Sequence, residues 1–338
     1  MKWKIKKCIR FLCTAALIVL GLFVLLNEKP PHTGTASEDT PGVTASATPT
    51  KAPVVTPSQK PASTKNSKHM KIHVLNVGQG LSVLIESQGH AMLYDGGGPE
   101  KAEKVTAYLK KKGIQSLDYL VASHYDYDHL YGLVLAAEEF PTDAVWGPDD
   151  TEDTYTYRNF LKVLDQKGRE LVHPKAGTSY SLGAAMIEIL GPQKAYEDHN
   201  NCSLVIKISC EGASVLLTGD AASLSENDML ESGVDLSADI LVAAHHGSSA
   251  STSKEFLEAV SPAYAVISCG ADNPFGHPAW SVMNRLKKEG ILLYRTDLQG
   301  LVTAVCTKDG ISWNQEPCTD YSGRIPTTIT PKATDAAA

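Results

Sequence analysis

The chain has 338 residues, of which 43% are apolar, enough to bury a sizeable core in one large domain or two ordinary ones. Residues 1–69 hold 10 of the 31 basic and 3 of the 38 acidic side chains, which leaves 21 basic and 35 acidic in the remainder, a net charge of −14. A unit this acidic has no general electrostatic hold on polyanions, and five cysteines beyond residue 13 at irregular spacing do not make a disulfide framework.

The first ten residues carry Lys2, Lys4, Lys6, Lys7 and Arg10, and Phe11 to Leu26 then run without a charge through "FLCTAALIVLGLFVLL". A basic flank before an apolar run of that length suits a signal anchor, with "NEKPP" where a cleavage site would be expected. The reading is therefore an anchor over 1–29 in the cell membrane with everything after it extracellular, or a secreted protein if the segment is cleaved. Residues 30–69 are Thr, Pro, Ser and Ala with few large apolar side chains, so they are expected to stay disordered as a linker. The tail 316–338 shares that character, and the folded unit is expected over 70–315.

Within that unit "KIHVLNV" and "LSVLIES" flank Gly78-Gln79-Gly80 and read as a hairpin. "AMLY" is a third strand ending at Asp95, a helix is expected from about Glu100 to Lys112 with Gly113 as its stop, and "LDYLVAS" is the next strand. In the second half "SLVIKIS" and "ASVLLTG" form a hairpin about Glu211-Gly212. "DILVAA", "PAYAVIS" and "GILLYRT" are further strands, separated by helices. Strand pairs followed by helix-separated strands, twice over, suggest an α/β architecture of two mixed sheets packed face to face with helices outside. Cys202 and Cys210 bracket one strand and lie too far apart to bridge. Cys306 with Cys318 remains open, and buried free thiols are expected.

The strand ending at Val121 leads into "SHYDYDH", residues 123–129. In an extended loop His124 and Asp126 point the same way, while Asp128 and His129 diverge towards a second point. Four such donors can serve two cations a few ångströms apart that share a bridging water or hydroxide. Asp95 in "YDGGG" either turns the chain or supports that site from behind. His73, His90 and His173 read as structural, "DDTED" at 149–153 as a solvated loop, and "RLKKEG" at 285–290 as a helix end whose basic residues suit the dipole or attract phosphate.

Together "NVGQG", "YDGGG", "SHYDYDH", "LLTGD", "HHGS" and "NPFGHP", in that order, resemble the metallo-β-lactamase superfamily, and most of all the hydrolase domain of ComEC-type competence proteins. The resemblance covers about 70–315 and implies a four-layer αββα sandwich. It implies metal ligands at His124, Asp126, Asp128, His129, Asp220 and His245, with His246 as competitor because the register of a doublet is open, and His199 as a lesser candidate. Asp95 falls in the outer shell. Asn200, Asn201 and Ser203 match a segment that orients substrate or water, and His277 a position near the reacting group, where it could act as leaving-group acid.

The implied cofactors are two divalent ions, Mn2+ or Zn2+ with Mg2+ also allowed, since Asp126 replaces an imidazole and hardens one site. The implied activity is that of a phosphodiesterase or nuclease with a metal-bound hydroxide as nucleophile, acting on a small-molecule or nucleic-acid phosphodiester. The alternatives are hydrolysis of lactams, lactones or other carbonyl esters, and a binding or scaffold module whose metal site has decayed. Asn76 and Leu81 stand where relatives carry aspartates, which puts an outer-shell contact in question. The sequence lacks the many membrane segments of a DNA-uptake channel, and no feature points to a protein partner.

Overall fold

The computed structural model describes residues 68–271 and 273–324. The expected anchor and nearly all of the expected linker lie outside the described residues. Among the described residues no helix is long and apolar enough to cross a membrane.

The first sheet takes β1 (Met70–Val74), β2 (Val83–Ser87), β3 (His90–Tyr94), β4 (Leu117–Val121), β5 (Thr142–Trp146) and β6 (Leu171–Val172) in sequence. The second is built from β7 (Ser179–Leu182), β8 (Ala185–Gly191), β9 (Val205–Cys210), β10 (Ala213–Leu217), β11 (Ile240–Val242), β12 (Tyr264–Ile267) and β13 (Leu292–Arg295), with β7 and β13 at its edges. β14 (Val302–Thr307) and β15 (Gly310–Trp313) return to the first sheet beside β1.

Both sheets are mixed. β1, β2 and β3 pair antiparallel, whereas β3 to β6 run parallel; likewise β7 to β10 are antiparallel and β10 to β13 parallel. The expected hairpins form, the second with Glu211 and Gly212 both at positive φ, as a two-residue turn between twisted strands requires.

Continuous apolar runs mark these strands because both of their faces are covered. In β2, Val83 and Ile85 join Ile206, Ile208 and Val215 in the core between the sheets, while Leu84 faces outward. The outward face packs against α1 (Ala102–Lys111), α2 (Tyr127–Glu139) and α3 (Tyr155–Gln166) through Val105, Leu109, Leu133 and Phe160. On the other side α4 (Ser223–Ser232), α5 (Lys254–Val260) and α6 (Trp280–Lys288) cover the second sheet through Met229, Phe256, Leu257 and Met283. Each such side chain contributes roughly 1.5–3 kcal/mol relative to exposure. The result is the expected αββα sandwich, and Gly113 at φ +76 follows the first helix as its stop.

Two expectations need correcting. The fold does not end at 315, because residues 316–324 run back over the second sheet. Cys318 N–H donates to Leu293 O at 2.7 Å, Tyr321 Oη–H to Ile291 O at 2.6 Å, and Arg324 pairs with the buried Asp297 at 2.7 Å. Polar, Pro-rich composition hid these bonds because most use the backbone. Nor is the stretch after Asp126 an extended loop: Tyr127 opens α2, so Asp128 and His129 lie in a helical first turn. All five described cysteines are free thiols, and four of them are buried.

Candidate metal centre

The motif residues gather at the C-terminal ends of the parallel strands, where the chain leaves each sheet and loops face one another. The first sheet supplies Asp95 after β3, and His124, Asp126, Asp128 and His129 after β4. The second supplies Asp220 after β10 and the histidine doublet after β11. The halves are stitched together here: Leu204 N–H donates to Ser123 O at 2.8 Å and Tyr94 Oη–H to Leu204 O at 2.7 Å.

Glycines permit the close approach. Gly96 and Gly132 touch backbone to backbone, and a Cβ on either would overlap the other's main chain. That contact lets Gly96 N–H reach His129 O at 2.7 Å and Gly132 N–H reach Gly97 O at 3.0 Å, which seats α2 on the loop after β3.

The imidazoles share one arrangement. His246 Nδ1 lies 2.9 Å from the carbonyl of Ser268, which can only accept, so that nitrogen carries the proton. His129 Nδ1 lies 2.8 Å from Asp95 Oδ2 and donates in the same way. Ser123 Oγ–H donates to Asp95 at 2.7 Å and is left to accept from His124 Nδ1 at 3.0 Å. In each ring Nδ1 is thus the nitrogen tied to an acceptor and Nε2 is directed inward, the orientation that a metal-binding histidine requires.

Those nitrogens converge. His129 Nε2 and His246 Nε2 are 3.2 Å apart. Two lone pairs at that distance repel unless something positive lies beside them. His124 Nε2 is buried without a hydrogen-bond partner, and so is Asp220 Oδ1, although it approaches His129 Nε2 to 3.2 Å. The donors form two groups, each with its ligand atoms within 4.8 Å of one another: His124 with His129 and Asp220, and Asp128 with His129 and His246. Asp220 reaches towards both, its Oδ2 being 3.5 Å from His246 Nε2. Asp126 occupies the N-cap of α2 yet makes no capping bond; its carboxylate instead lies 3.6 Å from His124 Nε2.

Electrostatics agree with the geometry. Burial alone would raise the Asp220 carboxyl, but His129 and His246 hold it well below the usual range. Burial would likewise depress His246, but Asp220 and Asp128 outweigh it and hold the ring up to about 9. The carboxylates demand positive charge, which protons supply in the apoprotein and divalent cations would supply in their place. The orphaned atoms and facing lone pairs fit such ions, and the mixed imidazole and carboxylate donors suit Zn2+ or Mn2+.

The remaining expected residues divide. In the doublet it is His246 that joins the cluster. His245 and His246 both adopt left-handed φ, 52° and 57°, and this double twist turns His246 inward while His245 sits beside His277, its Nε2 3.7 Å from Asp220. His199 stays out of both groups because Asp150 and Glu152 clamp its two nitrogens at 2.6 and 3.2 Å. That also corrects the reading of the acidic stretch 149–153 as merely solvated.

Asn201 and Ser203 are buried and already engaged. Asn201 Oδ1 accepts from Ser225 N–H, at the start of α4, and Ser203 Oγ accepts from Asp220 N–H. Ser203 thus braces Asp220, while Asn201 ties Asp198 to the start of α4. Asn200 differs, with a buried Oδ1 that has no partner.

His277 stands at the edge of the cluster. Burial, His246 and His245 push its imidazole down to about 4, so it is neutral at pH 7 and unsuited to the expected role of leaving-group acid. Gln79 Nε2 is 3.5 Å from its Nδ1, and Gln79 Oε1 accepts from Gly270 N–H, an arrangement that leaves His277 Nε2 as the donor. Leu81 packs in the inter-sheet core, and Asn76 keeps the turn by accepting from Gly78 N–H. The residues that the sequence did not single out are Ser123, Gln79 and Ser268. The last acts through a backbone carbonyl and has no signature to find.

A sandwich of two mixed sheets with imidazoles and carboxylates converging between their strand ends defines a metal-dependent hydrolase. The chain belongs to the metallo-beta-lactamase superfamily, whose model matches residues 75–271. Within it the likeness is to ComEC-type competence proteins. Competence protein ComA of Neisseria gonorrhoeae is 32% identical over 243 residues, 71% of this chain and 33% of that protein. Recombination protein 2 of Haemophilus influenzae is 32% identical over 251 residues, 72% and 30%. ComE operon protein 3 of Bacillus subtilis is 28% identical over 255 residues, 70% and 33%. The chain therefore spans about a third of the length of these relatives.

Proposed function

We propose that the chain is a dinuclear phosphodiesterase that acts on nucleic acid or its fragments at the outer face of the cell membrane, held there by its first 29 residues. One observation carries the metal count: the two donor groups share His129, and Asp220 reaches into both. His124, Asp126 and Asp220 would hold one ion, and Asp128, His129 and His246 the other. Bound divalent ions supply a nucleophilic hydroxide at neutral pH and stabilise charge developing on a phosphoryl oxygen. His277, neutral and donating from Nε2, would hydrogen-bond a phosphoryl oxygen and orient it. Support for a nucleic-acid substrate comes from the relatives, named for competence and for recombination.

The full chain, purified in detergent without chelators, should contain close to two equivalents of Mn2+ or Zn2+. It should release nitrophenol from bis(p-nitrophenyl) phosphate and shorten single-stranded DNA. Hydrolysis of nitrocefin or an acyl lactone with no action on phosphodiesters would move the assignment to carbonyl esters. Less than one ion per chain together with no hydrolysis would reduce the protein to a binding module.

A further inference from the structure

The exposed aromatic side chains are unevenly placed. Among the described residues four aromatics are strongly exposed, Tyr127, Tyr155, Phe275 and Trp280. Three of these border the metal centre in the chain: Tyr127 lies between Asp126 and Asp128, and Phe275 and Trp280 flank His277. Phe275, 51% exposed, lies over the His277 ring with centroids 5.7 Å apart and planes 27° from parallel. The imidazole packs against one side of the phenyl ring, and half of the Phe275 surface remains exposed.

Residues 273–277, which carry Phe275, are well braced. Asn273 Nδ2 donates to Gly270 O at 2.8 Å and to His277 O at 2.6 Å, while its Oδ1 accepts from His277 N–H at 2.9 Å. Gly276 at φ +75 makes the turn between the two rings. A half-exposed phenyl ring on this braced segment costs little entropy when a ligand covers it.

From this the geometry points to Phe275 as a stacking platform for the nucleobase next to the scissile phosphate, so that the enzyme grips single-stranded nucleic acid by its bases. The inference rests on the phosphodiesterase reading above. Two observations favour a base over an acyl chain or a phosphate backbone. A half-exposed ring that continues an existing stack fits a planar partner. A folded unit this acidic cannot track a polyanion by charge, which leaves stacking as the sequence-tolerant means of holding a strand.

The test uses the full chain in detergent with Mn2+ and two labelled 12-mers, oligo-dT and a strand of the same length whose residues are abasic. Wild type should show kcat/KM about tenfold higher on the base-bearing strand, within the range that stacking supplies. In Phe275→Ala that ratio should fall to about two or less, and Phe275→Tyr should keep it. An unchanged ratio in Phe275→Ala overturns the proposal. So does an equal loss on both strands, which would mark Phe275 as merely structural. If wild type cleaves bis(p-nitrophenyl) phosphate but prefers neither strand, the stacking inference alone falls. If it cleaves no phosphodiester, the functional reading falls and the inference with it.

Discussion

Asp95→Asn isolates the part played by proton placement in the metal centre. The substitution preserves shape, and asparagine tolerates the left-handed backbone that Asp95 adopts at φ +58. One oxygen still accepts from Ser123 N–H, as it does now at 2.7 Å. At the other position an NH2 group would face His129 Nδ1–H across 2.8 Å, donor against donor. To present a neutral ring the imidazole would have to carry its proton on Nε2, 3.2 Å from His246 Nε2, which removes the lone pair that a cation needs. The apoprotein should therefore fold normally while its ligands are spoiled, as when a wrong tautomer disables a catalytic histidine.

Metal binding must then reverse the tautomer without the charged acceptor. A hydrogen bond to a charged group contributes roughly 1.5–3 kcal/mol, or about 10- to 150-fold in affinity, consistent with the effect of removing an outer-shell partner. Because His129 is a donor to the ion held with Asp128 and His246, that ion should be the one weakened. Competition titrations with a fluorescent chelator for Mn2+ and Zn2+, alongside elemental analysis and thermal denaturation of the chelated proteins, would measure it. A variant that melts with wild type and binds both metals within twofold of it would refute the reasoning about tautomers.

Asp128→Ala should lose metal and hydrolysis together, read by elemental analysis and nitrophenol release, since it removes a carboxylate from the group containing His129 and His246. Gly132→Ala should lower Tm by roughly 3–10 °C, because its new Cβ would overlap the Gly96 carbonyl oxygen, backbone that cannot swing aside. The chelated protein should lose stability between about pH 6.5 and 9 in denaturant titrations. His246 is raised in the fold, so its contribution is complete below its unfolded value and lost as pH rises through about 9. Metal affinity should rise over the same window, because protons and cations compete for that ring. Ending the chain at 315 should lower Tm and expose apolar surface to a hydrophobic dye, since it strips the backbone bond from Cys318 to Leu293 and the Arg324–Asp297 pair.

What could be read in the sequence was whatever local pattern enforces. The antiparallel pairs, the first helix and its glycine stop, and the layered architecture follow from apolar runs and turn residues that need no distant partner. The stretch from 142 to 191 was less legible, because β6 has two residues and β7 is the mostly polar "SYSL". At the site, residue types announced the donors but not their aim. Whether His245 or His246 turns inward depends on two successive left-handed residues and on the Ser268 carbonyl, and neither leaves a mark in composition. The tail leaves no more mark, since its ties are to backbone atoms of Ile291 and Leu293.

The acidic composition and the metal centre then have a common consequence. A domain with a net charge of −14 repels an anionic substrate over most of its surface. At one place Asp126, Asp128 and Asp220 would face two divalent cations, whose charge exceeds theirs. Among the described residues a strong attraction for a phosphodiester would then coincide with the reacting centre, and much of the affinity away from it would have to come from uncharged contacts. Binding of uncleavable single strands should accordingly collapse when the metals are chelated, far more than added salt alone weakens it. A protein that held such strands equally well without metal would have its grip elsewhere, and the charge argument would fail.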